Sequence, residues 1–175
     1  MRVWLHTPGE TQLTCLSYMK TSNFSHKQVT DISSAPAPEN FSKSDYLISI
    51  RDIGAPIKEI VLPISNVLHL AFEDIAMEID GVITDTQAKL IADFIKEARE
   101  KKLNVWANCH AGVSRSGAIV ELLSQLGWEI NENIRSRSRV PNHLVFNKLR
   151  KHFAYDKIKD LKPAIEYIND GNFFF

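Results

Sequence analysis

The sequence is poor in cysteine: there are two in 175 residues, Cys15 and Cys109. A pair that sparse and that widely spaced is no disulfide framework. It favours a reducing compartment with free thiols, so a cytoplasmic protein is expected. Charge of one sign is not in excess either, with Lys plus Arg and Asp plus Glu at 21 each. No global field draws such a chain to nucleic acid or anionic lipid, and any preference for anions must be local. No apolar run approaches the roughly 18 residues of a membrane helix. Met1–Pro8 also lacks the apolar stretch of a secretory leader, and the expectation is a soluble protein without a membrane partner. Proline is scarce as well, and only Ser33–Pro38 reads as a Pro-rich loop. A hydrophobic content of 44% in a chain of this length fits one domain spanning 1–175 with a single core.

What is present alternates between two periods. Tyr46–Ile50 predicts a strand closed by the turn signal Gly54–Pro56, and Ile60–Leu62 and Val67–Phe72 predict two more. Thr84 with Gln87 spells a capping box. Leu90, Ile91, Phe94, Ile95 and Ala98 then recur at helical spacing, with Lys89, Asp93, Lys96, Glu97 and Glu100 on the wet face. Leu103–Ala107 predicts a strand, with Cys109 just beyond its end. Ser116–Leu126 is apolar on most sides, the pattern of a buried helix, and Gly127 ends it. Asn142–Phe153 and Lys157–Ile168 predict further helices, while Val3–Leu5 and Leu13–Leu16 are candidate short strands. The alternation predicts an α/β fold, a central mixed and mostly parallel sheet with helices on both faces.

The chemistry concentrates in Asn108-Cys109-His110-Ala111-Gly112-Val113-Ser114-Arg115-Ser116-Gly117. This stretch turns from strand to helix at the carboxyl edge of a sheet, where ligands of open α/β sheets bind. A short Gly-containing loop that feeds a helix can aim successive N–H groups inward as an anion nest. A thiol at the mouth of that nest is biased toward thiolate. Arg115, six residues on, can fold back and grip two oxygens of the same anion with its planar fork. An arginine at a helix N-terminus otherwise opposes the dipole.

Cys109, five residues, then Arg115 and Ser116 resembles the signature of the cysteine-based protein tyrosine phosphatase superfamily, and the wording Ala111–Ser116 looks most like its compact dual-specificity branch. Phe72-Glu73-Asp74 resembles the family's general-acid loop, and Pro141-Asn142 its late Pro-Asn segment. The likeness covers about 46–151 and leaves residues 1–45 without an assigned role. It implies a dual-specificity-phosphatase-like fold and a two-step hydrolysis of phosphoesters, of phosphotyrosine and by extension phosphoserine and phosphothreonine, through a cysteinyl-phosphate. Cys109 would be the nucleophile, Arg115 the clamp and Asp74 the general acid, with Asp80 the alternative. Ser116 would ease departure of the sulfur. The backbone of His110, Ala111, Gly112, Val113, Ser114 and Arg115 would bind phosphate, and Asn108 and Asn142 would support the loop. The implied partners are phosphorylated proteins or peptides, and neither metal nor cofactor is needed.

One departure is Asn108, where the family usually has His, which helps hold the loop and favour the thiolate. It keeps a phosphopeptide-binding pseudophosphatase in play. RNA 5′-triphosphatase and phosphoinositide phosphatase activity would use the same chemistry on other phosphates, although the neutral charge counts against both. The Arg115-Ser116 pair argues against a rhodanese-like sulfur transferase. Arg135, Arg137, Arg139, Lys148, Arg150 and Lys151 form the basic concentration, which reads as a solvated surface or a pocket border. Oligomeric state is not legible in the sequence.

Overall fold

Continuous apolar runs make the middle of the sheet. Val105-Trp106-Ala107-Asn108-Cys109 is buried at every position, and Tyr46-Leu47-Ile48-Ser49-Ile50 likewise. That is what a parallel strand covered on both faces requires. The computed structural model describes residues 18–134 and 138–153. In chain order these form β1 (Lys20–Thr21), β2 (Asn23–Ser25), α1 (His26–Thr30), a 3-10 turn (Pro38–Asn40), β3 (Tyr46–Arg51) and β4 (Asn66–Ala71). Then come α2 (Asp85–Glu100), β5 (Val105–Cys109), α3 (Arg115–Gln125), β6 (Glu129–Ile130) and α4 (His143–Arg150). The strands and helix expected over Val3–Leu5, Leu13–Leu16 and Lys157–Ile168 lie outside the described residues, as do Cys15, Arg135 and Arg137.

The main sheet has the order β2-β5-β3-β4, and β1 pairs with β6 beside it. Every described pair is parallel, with Ile48 opposite Ala107 and Ser49 opposite Asn108 across the centre. The architecture is therefore α/β, and among the described strands the sheet is parallel rather than mixed. Side-chain alternation divides the core in two. Ile48, Ile50, Val105 and Ala107 pack with α2, α3 and α4, through Ile91, Ile95, Ile119, Leu122, Val145 and Phe146 among others. On the other face Leu47 and Trp106 pack with Phe24, Val29, Leu62 and Ile64. That face is covered by α1 and by irregular chain. Each of these large side chains, fully withdrawn from water, contributes about 1.5–3 kcal/mol.

Residues 18–45 enter the fold at this point. Phe24 and Val29 are wholly buried, and β2 forms the edge strand beside β5. Ser25 caps α1 with a full capping box closed by Gln28. The box predicted for α2 forms between Thr84 and Gln87, and Gly127, at φ 103°, ends α3 where it was expected.

Several boundaries differ from the sequence reading. Ile60–Leu62 is not a strand: Val61 N–H donates to Val29 O at 2.9 Å, and Ile64 N–H turns back to Leu62 O at 2.8 Å. Pro63 has no N–H to continue a ladder, and Leu62 serves instead as a core plug 4% exposed. β5 runs to Cys109, which is its last residue and not one beyond it. Asn142 is the cap of α4, not its first residue. No helix among the described residues is long and apolar enough to cross a membrane.

Candidate active site

The turn from β5 to α3 is bound from outside along its length. The carbonyls of His110, Val113 and Ser114 accept from the N–H groups of His26 (3.1 Å), Val140 (3.3 Å) and Asn142 (3.2 Å). The Gly112 carbonyl accepts from Asn23 Nδ2 at 2.5 Å. In a trans peptide the N–H points opposite to its own carbonyl. Outward carbonyls at 112, 113 and 114 therefore turn the N–H groups of Val113, Ser114 and Arg115 toward the inside of the turn. An anion nest needs that orientation. Cys109, the residue before the turn, is 1% exposed, with Sγ 3.2 Å from Ser116 Oγ in the first turn of α3.

Arg115 is the first residue of α3 and is 2% exposed. Its Nη1 donates to Phe72 O and its Nη2 to Asp52 Oδ1, both at 2.6 Å. Its Nε lies 3.8 Å from Asp74 Oδ2 and is buried without a hydrogen-bond partner among the described residues. A guanidinium has five N–H donors; two are spent in these bonds, and the Nε–H is among the three that remain. The carboxylates of Asp52 and Asp74 offset the unfavourable position of a cation at a helix N-terminus.

Asp74 is held by one oxygen. Its Oδ1 accepts from Ser114 Oγ at 2.8 Å and from Asn142 Nδ2 at 2.9 Å, which leaves Oδ2 on the side of the Arg115 Nε. Neighbouring Glu73 is occupied elsewhere, accepting from Ile53 N–H at 3.0 Å. Asp80 is exposed, and its side chain makes no bond or ion pair among the described residues. Of the two candidate acids, Asp74 is the one brought to the arginine.

Cys109 thus meets Ser116, and Arg115 meets Asp74, at the two ends of the turn His110-Ala111-Gly112-Val113-Ser114. Two expected supports differ. Asn142 acts on the turn through its backbone N–H, while its side chain secures Asp74 and caps α4 by accepting from Val145 N–H at 3.1 Å. The Asn108 side chain makes no bond to the turn: both of its polar atoms are buried without partners among the described residues. Alternation along β5 sends it to the face opposite Cys109, where it stands in register with Phe24 and Ser49.

Asp52 was missed by the sequence reading. It follows the last residue of β3, and its second oxygen lies 3.4 Å from His110 Nδ1. An acidic residue at the carboxyl end of a central strand was the available signal. Beside it, His26 titrates below the ordinary 6.5: burial, then Lys58 and His110, disfavour the imidazolium more than Asp52 favours it. A cavity of about 410 Å³ lies at the opposite end of the sheet, and its lining polar groups are partly spent on one another, as in Asn104 Nδ2 to Asp45 Oδ1 at 3.1 Å.

No family model matches the chain, and no curated protein matches it. The resemblance to the phosphatase superfamily rests on these residues and their arrangement.

Proposed function

We propose that the chain is a cysteine-dependent phosphatase acting on phosphorylated protein or peptide side chains. The observation that carries this reading is the Arg115 guanidinium. It is held at its two terminal nitrogens, and its buried Nε–H is unspent on the side shared with Asp74 Oδ2. A buried arginine donor without a partner is costly, and a phosphoryl oxygen is its natural acceptor. The inward N–H groups of the turn add donors for the equatorial oxygens, on which charge grows in the transition state.

In the first step the Cys109 thiolate attacks phosphorus in line, and the ester P–O bond breaks. The departing oxygen takes a proton from Asp74 Oδ2. In the second, water attacks the cysteinyl-phosphate and gives its proton back to Asp74. The S–P bond breaks, and the Ser116 hydroxyl, 3.2 Å from Sγ, stabilises the returning thiolate. Asp52, Glu73, Asp74, Glu78 and Asp80 all lie on the segments that follow β3 and β4. That concentration of negative charge disfavours RNA 5′-triphosphates and phosphoinositides relative to a phosphoamino acid on a neutral or basic peptide.

The pseudophosphatase reading keeps one observation in its favour, the unpartnered Asn108 behind the nucleophile. The test is an assay of p-nitrophenyl phosphate, phosphopeptides and a 5′-triphosphorylated RNA with wild type, Cys109→Ser and Asp74→Asn. Turnover of the first two is expected. Cys109→Ser should abolish it, and Asp74→Asn should lower alkyl phosphate turnover by about 100-fold and that of the activated aryl ester by much less. Equal activity in wild type and Cys109→Ser rejects the proposal. Phosphopeptide binding without turnover in wild type establishes the pseudoenzyme instead.

A further inference from the structure

Lys148 faces the core side of α4 and is 8% exposed. A lysine is rarely buried to that degree unless its charge is paired. Its Nζ reaches Glu78 Oε2 at 3.0 Å and Asp85 Oδ1 at 3.5 Å. Burial works against the ammonium, but Glu78 and Asp85 outweigh it and hold the group above its ordinary value. The lysine is charged throughout the neutral range. Both carboxylates are well exposed, with side-chain exposures of 65% and 82%, so the pairing adds little to stability.

The segment between β4 and α2 shows what the lysine does hold. Its neck is closed by Phe72 N–H to Arg51 O at 3.2 Å and Glu73 N–H to Gly81 O at 2.8 Å. Asp74 lies just inside the neck. Residues 76–80 are all exposed, and among the described residues their only hydrogen bond or ion pair is that of Glu78 with Lys148. One helix thus grips the arch twice, at Asp74 through the Asn142 cap and at Glu78 through Lys148. The two grips stand about 9 Å apart along α4, at 1.5 Å per residue. Asp85, in the first turn of α2, anchors the lysine to a second rigid element.

We propose that Lys148 is a positioning residue for the acid-bearing segment: it fixes the arch through Glu78 so that Asp74 Oδ2 stays at the leaving oxygen. The inference rests on the reading of Asp74 as proton donor. Displacements of about 1 Å in such a group cost up to 100-fold in rate.

Lys148→Met keeps the buried stem and removes the charge, while Glu78→Gln leaves Lys148 its bond to Asp85. Each is expected to lower kcat on an alkyl phosphate about tenfold and on p-nitrophenyl phosphate less than about threefold, with KM unchanged. In an Asp74→Asn background neither should lower kcat further. Amide hydrogen exchange, measured in parallel, should quicken at Glu73, whose N–H closes the neck on Gly81 O, in both variants and stay constant in α4. Equal losses on both substrates, full additivity with Asp74→Asn, or unchanged exchange at Glu73 would each overturn the proposal. Wild type without Cys109-dependent turnover removes the reading of Asp74, and the exchange result then decides by itself whether Lys148 holds the arch.

Discussion

Gly112 and Gly54 have nearly the same backbone, φ +70° and +81°, and different surroundings. A Cβ on Gly54 meets nothing within 4 Å, whereas one on Gly112 would stand 2.5 Å from Phe24 C and from Ser25 N. The backbone of β2 cannot retreat without leaving β5, so the turn passes there only as glycine. Gly54→Ala should cost about 1 kcal/mol, the left-handed strain alone. Gly112→Ala should cost about 2–4 kcal/mol by adding overlap with fixed backbone. Urea midpoints of the two variants check this, and equal losses would place Gly112 out of contact with β2. Asp52 teaches the converse at the same scale. A lone acidic residue carries no spacing signal, and its bond to an arginine 63 positions away exists only because β3 and β5 are neighbours.

At the level of elements, local signals held wherever they were complete within one turn. The Thr84–Gln87 box and the Gly127 stop each depend on residues within a few positions and formed as read, while in the α2 stripe Ile91, Ile95 and Ala98 are buried and Leu90 is exposed. Thr84 also starts the helix that carries Asp85, the second anchor of Lys148. Thr84→Ala should therefore lower stability by about 1 kcal/mol, visible as a fall in Tm. An unchanged Tm would mean that Gln87, which also donates to Ala71 O at 3.0 Å, suffices to hold the turn. Ile60–Leu62 had the composition of a strand, but Pro63 cannot continue a ladder, and Leu62 packs instead in the cluster that holds Trp106.

For the whole molecule, acid should unfold the protein in two stages. His26 and His69 both titrate below 6.5: burial leads in each, followed by Lys58 and His110 for the first and Arg51 for the second. Below that value the unfolded chain takes up more protons than the folded one, so stability falls as pH drops through the window and levels off below the folded values. Asp31, Asp93 and Glu97 are held below their ordinary range chiefly by Ser33, Lys89 and Lys101. Their contribution is present above the unfolded value and is lost as pH falls through the folded one, a second and more acid stage. Urea midpoints followed against pH should show both stages, and His26→Gln with His69→Gln should flatten the first alone. A first stage unaltered in that double variant would assign it to other groups.

The sequence by itself determined the local pieces: the spacing of Cys109 and Arg115, the helix caps, the buried strands and the α/β alternation. Each is written in neighbours along the chain, where turn chemistry and side-chain periodicity act. Only the tertiary structure decided that β2, from an otherwise unassigned stretch, lies against Gly112. It also brought Asp74 rather than Asp80 to Arg115, drew in Asp52 and turned Asn108 away from the loop. Those outcomes depend on which strands lie side by side and on which face of β5 a residue falls, and pairing across a sheet leaves no periodic trace in either partner alone.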